Sequence, residues 1–241
     1  MTKMISEREK NGSPSFQELT AQAGMLVRAG SETTSTALSG ITYYLGGNRQ
    51  VYDKLVREIR QRFHSAEEIN GKSTDALVYL KAVIEEGLRL FPPIAVGLPR
   101  VSPGETVDGY FIPKGAIVYT SGFAATHSES NFRNASSFIP ERWIEVDCPD
   151  KKTASQPFSL GSRGCLGRKC VDTSLPRSSC SLTWRLSSLA LMDMRLILAK
   201  ILWSFDFNLV DDGRDWMAEN KSLVIWQKGA LNVQFLPRSA T

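Results

Sequence analysis

Apolar residues recur at helical spacing in several runs between Phe16 and Phe91, give way to short alternating runs, and return to helical spacing from residue 189. Ser15 with Glu18 three residues on matches a capping box, so a helix is predicted from Phe16. It can run to Gly46 and Gly47, roughly thirty residues or about 45 Å. Its centre is odd. Gly30, Ser31, Glu32, Thr33, Thr34, Ser35 and Thr36 are poor or polar helix formers where burial favours Leu or Ala, and local rules broken in mid-helix point to a special site. A second helix fits "RQVYDKLVREIRQRF", with Val51, Leu55 and Ile59 on one face and charges opposite. The third, "ALVYLKAVIEEGLRLF", is stopped by Pro92 and Pro93 and puts Glu86 and Arg89 one turn apart. The period then changes. "TVDGYFIPKGAIVYTSGF" predicts two short strands around a Pro-Lys-Gly turn, and "FIPERW" a Pro-containing loop. "SLVIWQKGALNVQFL" predicts a strand pair about Gln-Lys-Gly, and "LALMDMRLILAKILWSF" a strongly apolar helix. The predicted fold class is mainly α with small β-sheets.

At 241 residues, 42% hydrophobic and 22% charged, the chain can bury a sizeable core. Its formal net charge of +4 is spread out. No basic run interleaved with aromatics suggests nucleic acid, and the modest excess favours an acidic protein partner. Cys148, Cys165, Cys170 and Cys180 lack the regular spacing of a secreted disulfide framework, so a reducing compartment is expected. The polar opening "MTKMISEREKNGSPS" and the charges Asp193, Arg195 and Lys200 in the last apolar run predict no membrane span in this chain, which reads as cytoplasmic if expressed alone.

The stretch "FSLGSRGCLG", 158–167, sets one cysteine among glycines and beside arginine. A lone cysteine is most often a buried small hydrophobe. Here Gly161, Gly164 and Gly167 allow a tight turn and the close approach of a flat ligand, Arg163 offers a guanidinium to a carboxylate, and an electropositive setting favours thiolate, the form that ligates metal. A zinc module is the weaker alternative, because Cys148 and Cys180 are distant and His64 and His127 have no ligand spacing.

Phe158, Gly161, Arg163, Cys165 and Gly167 match the haem-binding signature F-x-x-G-x-R-x-C-x-G, and the chain resembles the cytochrome P450 superfamily. Such a match arises by chance about once in ten thousand or less. "AGSETT" (29–34), "EGLR" (86–89) and "PERW" (140–143) follow the family's order. The resemblance implies an incomplete C-terminal half of the cytochrome P450 fold, of fungal secondary-metabolism type. It implies that Cys165 is the thiolate axial ligand of haem b, that Arg163 and Arg100 pair with haem propionates, and that Glu32 and Thr33 relay protons from the long helix. Glu86, Arg89 and Arg142 resemble the family's buried charge network. Ala29, Ile94, Ala95 and Val96 resemble its substrate-lining positions, although plain core also explains them. The implied activity is insertion of one oxygen atom from O2 into a C–H bond of an apolar small molecule. Electrons would come from NADPH through a flavoprotein reductase, for which Arg168 and Lys169 offer basic docking residues. The alternative is a non-catalytic truncated fragment that keeps the signature.

Two departures stand out. The resemblance begins near Phe16, after a polar leader at 1–15, whereas full-length relatives place roughly half their chain before it, including an anchor in the endoplasmic reticulum membrane. And "CVDTSLPRSSCSLTWRLSS", 170–188, with six serines and a proline in nineteen residues, interrupts what would otherwise run from "CLGRK" into "LALMDMRLILAKILW". Its composition suits neither helix nor core. It reads as an unspliced intron translated in frame, or as a lineage-specific loop.

Overall fold

In a computed structural model, which describes residues 14–168, 188–211 and 213–238, the capping box at Ser15 closes in both directions. The Ser15 amide donates to the Glu18 carboxylate at 2.7 Å and the Glu18 amide donates to Ser15 Oγ at 3.2 Å, opening helix α1, Phe16–Gly47. The polar centre is helical, and its hydroxyls bond back along the helix, Thr33 to the Ala29 carbonyl and, further on, Ser39 to the Ser35 carbonyl. Helix α2, Arg49–Arg62, buries Val51, Tyr52, Leu55, Val56 and Ile59. Helix α3, Val78–Leu90, stops before Pro92 and Pro93 as predicted. Residues 1–13 of the expected leader and 170–187 of the expected insertion lie outside the described residues.

The chain then forms β1 (Arg100–Val101), β2 (Glu105–Val107), β3 (Tyr110–Ile112) and β4 (Ile117–Val118), followed by the short helix α4, Gly122–Thr126. The strands correct the sequence reading. β2 pairs antiparallel with β3 around Asp108 and Gly109, not around Pro-Lys-Gly. Both turn residues have positive φ, 49° and 82°, the two-residue geometry whose twist matches that of the strands, and Asp-Gly favours it. Pro113–Gly115 instead turns the chain into β4, which pairs with β1. "PERW" is a turn of 3-10 helix, Pro140–Trp143.

Helix α5, Leu189–Ser204, leads into β5 (Phe205–Leu209), then α6 (Trp216–Glu219), β6 (Lys221–Ser222), β7 (Trp226–Gln227) and β8 (Val233–Pro237). The expected pair about Gln-Lys-Gly does not form. β7 pairs backward with β6, and β8 pairs with β5. The strand that follows α5 outcompetes the local hairpin and forms a two-stranded sheet with β8, a choice set by tertiary contact.

The second half of α1 packs with α2, α3 and α5 around one core in which Ile41, Leu45, Leu55, Ile59, Leu80, Val83 and Leu202 are fully buried, each contributing about 1.5–3 kcal/mol. The glycine of "EGLR" has a packing reason: a Cβ at Gly87 would overlap Ile41, and one at Gly40 would meet the Phe91 ring, so α1 and α3 approach through glycines. Nearly every residue of α1 from Phe16 to Ser31 is exposed, including Phe16, Met25, Leu26 and Val27.

Beside this core, Glu86 is wholly buried and fully used. Its carboxylate accepts two bonds from Arg89 at 2.8 Å, one from Arg142 at 3.1 Å, the Ile139 amide at 2.9 Å and the Trp143 indole at 2.8 Å. Arg89 continues to the carbonyls of Thr126, Ala135 and Ser137. Arg142 reaches Asp150 and the Arg133 carbonyl. Burial alone would raise the Asp150 carboxyl, but the Arg133 amide and the Arg142 guanidinium outweigh it and leave it below the usual carboxylate range.

Removing one partner of such a network strands the other charge, so Arg89→Met should lower the unfolding free energy by about 3–5 kcal/mol. Lys54→Met, at a half-exposed pair with Glu141, should change it by less than ~1 kcal/mol; urea denaturation midpoints compare the two. Because its folded pKa is depressed, Asp150 contributes stability that is present above pH ~4 and lost as pH falls through the folded value. Asp150→Asn should therefore flatten the acid limb of a melting-temperature profile below that pH while lowering stability at neutrality.

Candidate functional site

Phe158 anchors the cysteine loop. Its ring packs half-buried against the main core, and its carbonyl accepts the Cys165 amide at 2.8 Å, closing residues 158–165 into a ring. Ser159 and Gly161 take left-handed backbone, at φ 57° and 71°, and glycine is the residue that adopts this without strain. Single 3-10 turns, Gly161–Arg163 and Leu166–Arg168, flank the cysteine. At Gly167 the requirement is different: a Cβ there would stand 3.6 Å from Cys165 Sγ, so a longer side chain would lie against the sulfur. Cys165 is free and exposed, between the exposed Leu160 and Leu166, and Arg163 is exposed beside it. The loop presents one sulfur donor, an apolar surface and a guanidinium to whatever lies against it.

Helix α5 begins at this loop. Ser188 Oγ donates to the Gly167 carbonyl at 3.0 Å and accepts the Leu191 amide at 3.4 Å, so the last residue of the expected insertion is the N-cap of the helix. A cavity of about 610 Å³ lies alongside, bordered by Glu85, Lys152, Thr153, Gln156, Phe158 and Arg168, among others. Burial pushes the Glu85 carboxyl up, opposed by Arg168. Polar and apolar side chains share its walls, and none of Ala29, Ile94, Ala95 and Val96 borders the cavity.

On α1, Thr33 Oγ1 donates to the Ala29 carbonyl at 2.7 Å. Glu32 turns the other way, accepting Lys228 Nζ at 3.0 Å and the Thr36 hydroxyl at 3.5 Å. The acid and the alcohol are neighbours in sequence yet not bonded to each other. The Lys228 hydrogen bond and charge hold the Glu32 carboxyl below its usual range, against a smaller effect of burial. Ala29 is exposed on the same helix. Ala95 is buried with Phe91, Trp216 and Trp226, while Ile94 and Val96 are half-buried. Arg100 opens β1 and donates to the carbonyls of Leu98 and Pro99 at 3.2 and 2.9 Å.

The structure thus gathers Phe158, Gly161, Arg163, Cys165 and Gly167 in one loop, Ala29, Glu32 and Thr33 on one helix, and Glu86, Arg89 and Arg142 in one network. Among the described residues, no hydrogen bond or ion pair joins one group to another. Sequence reasoning missed three participants. Trp143 lay inside the quoted "PERW". Asp150 and Lys228 had no local signal, since the latter meets Glu32 across 196 residues.

The family model described as Cytochrome P450 matches residues 1–170. The matched stretch therefore takes in residues 1–15 and stops where the atypical segment starts. The chain is 42% identical over 235 residues to cytochrome P450 monooxygenase ORF9 of Penicillium roqueforti, covering 98% of this chain and 42% of that one. It is 40% identical to the monooxygenase traB of Penicillium crustosum, over 97% of this chain and 44% of that one. With BOT4 of Botryotinia fuckeliana it shares 39% identity, over 96% of this chain and 40% of that one. The chain spans less than half the length of the curated relatives it matches.

Proposed function

The chain belongs to the cytochrome P450 family, and on that premise we propose that it is the cysteine-bearing portion of a haem-dependent monooxygenase of fungal secondary-metabolite type, acting on a C–H bond of an apolar small molecule. The observation that carries this reading is the exposed Cys165 on a loop closed from behind by the Phe158 carbonyl and opened in front by Gly161 and Gly167. The donor set fits. Among the described residues, no three His, Cys, Asp or Glu side chains stand together to chelate a bare ion, and a single sulfur suits an iron that arrives with its equatorial ligands already in a porphyrin. When bound, the haem would supply the activation of dioxygen.

The chain's own residues have separate tasks in this reading. Cys165 gives the axial sulfur, and Phe158 fixes the loop against the core. Arg163 is free to meet a propionate, and Arg100 could do so after releasing its two local carbonyls. Thr33 and Glu32 would hold and pass the proton that the reaction consumes, a role that suits a polar pair in mid-helix. Electrons would come from an NADPH-dependent flavoprotein reductase, with Arg168 beside the loop as one basic docking residue. None of the described helices is long and apolar enough to cross a membrane; membership of the family is what supports a location of the whole enzyme at the endoplasmic reticulum membrane.

We also propose that residues 170–187 are dispensable to this architecture. What supports this is that Gly167 and Ser188, 21 positions apart, are hydrogen-bonded to each other.

Two measurements test these readings. The chain should be fused behind the N-terminal portion of one of its fungal relatives and purified with haem. The fusion should give a thiolate-type ferrous carbon monoxide spectrum that Cys165→Ser abolishes; Thr33→Ala should keep the spectrum but divert reducing equivalents to hydrogen peroxide. A thiolate spectrum surviving in Cys165→Ser would refute the assignment. Deleting 170–187 while retaining Ser188 should keep cooperative unfolding and raise stability by about 1–3 kcal/mol through a shorter closure, as read from thermal melts. Loss of cooperative unfolding would show the segment to be structural.

A further inference from the structure

Glu32 is held from outside its own helix, and the hold is built. Lys228 follows β7, and its main chain is fixed on both sides. Ahead of it, the Trp226 indole donates to the Pro92 carbonyl at 2.7 Å and stacks on Phe91 at 4.7 Å between centroids. Behind it, the Gly229 amide donates to Asn220 Oδ1 at 3.0 Å, and its carbonyl accepts the Trp216 indole at 3.0 Å. From this anchored turn the lysine crosses to α1, where Nζ donates to Glu32 Oε1 at 3.0 Å and to Thr36 Oγ1 at 2.6 Å. Thr36 is wholly buried and the Lys228 side chain only 18% exposed. The Glu32 end is half exposed; what sets this pair apart from an ordinary surface ion pair is a lysine that is largely covered and tied to a buried hydroxyl.

The geometry decides which way the carboxylate faces. Glu32 and Thr36 are four residues apart and so share one helix face, whereas Thr33 lies about 100° round the axis. We infer that Lys228 is a positioning residue that holds the Glu32 carboxylate turned along the helix toward Thr36 and away from Thr33. The groups facing Glu32 are Lys228 from the turn after β7 and Thr36 from its own helix. With the ammonium in place the carboxylate remains a proton acceptor, and it must slip this hold to meet Thr33. The anchoring tryptophans also bury Ala95, so the same turn joins the segment after Pro93 to the helix carrying the acid. As a step in proton delivery this rests on the relay proposed above; as a contact within the chain it does not.

The test separates the two. Glutamate-labelled chain is titrated by carboxyl carbon NMR, with the Glu32 signal assigned by its loss in Glu32→Gln. Lys228→Met should move the Glu32 titration to higher pH, since an opposite charge lowers a carboxyl pKa and its removal restores it. Lys228→Arg should titrate like the wild type. Trp226 and Gly229 anchor the turn, so the Met variant should melt as the wild type does, and Lys228→Gln provides a second neutral variant. An unchanged titration in both neutral variants would overturn the inference, whatever turnover showed. In the haem-loaded fusion, the acid limb of coupling, product formed per NADPH, should move to higher pH in Lys228→Met but not in Lys228→Arg. Lys228→Met should add nothing in a Glu32→Gln background. A shifted titration with coupling unaffected by Glu32→Gln would uphold the hold on the carboxylate and remove Glu32 from the relay.

Discussion

Glu86 cannot be buried without Arg89, nor Arg142 without Glu86 and Asp150, and this mutual requirement fixes the middle of the molecule. A carboxylate taken out of water must replace its hydration with protein donors, and Glu86 finds them in two guanidiniums, an amide and an indole. Through Arg89 the same network satisfies the carbonyls of Thr126, Ala135 and Ser137, which belong to segments without extensive regular structure. Charge satisfaction here does what a sheet or a long helix does elsewhere: it gives an irregular stretch one conformation. α3 carries both the network and Gly87, so the helix that organises the charges also sets the close approach to α1.

The cysteine loop is placed by other contacts. It has few bonds of its own beyond the closure from Cys165 to Phe158. Its position comes from the Phe158 ring in the core and from Ser188, which ties the loop to the first turn of α5. The loop is packed against the core at Phe158 and exposed at Cys165. Leu160 and Leu166 on either side are exposed as well, leaving apolar surface beside the sulfur.

Polarity in the middle of α1 has two consequences at once. Hydroxyls that bond to their own helix cost little, while the half-exposed Glu32 carboxylate meets a lysine from the far end of the chain. The first half of the helix is the contrasting case. Its apolar residues are periodic but bare among the described residues, so its stability there rests on the capping box and local propensity.

Local chemistry made much of this legible in advance. The capping box, the double proline and the 3.6-residue stripes fixed α1, α2, α3 and α5 within a residue or two, because each depends on neighbours in sequence. The spacing from Phe158 to Gly167 identified the family because five fixed positions fall within one ten-residue loop. Strand pairing was not legible. Asp-Gly outcompeted Pro-Lys-Gly by its backbone preference, a signal present but misread, while β8 chose β5 over its neighbour for packing reasons that no local pattern encodes. Asp150 and Lys228 were invisible for the same reason. A charged residue in a loop looks solvated until the fold brings a buried partner within hydrogen-bond reach, and only the tertiary structure sets that distance.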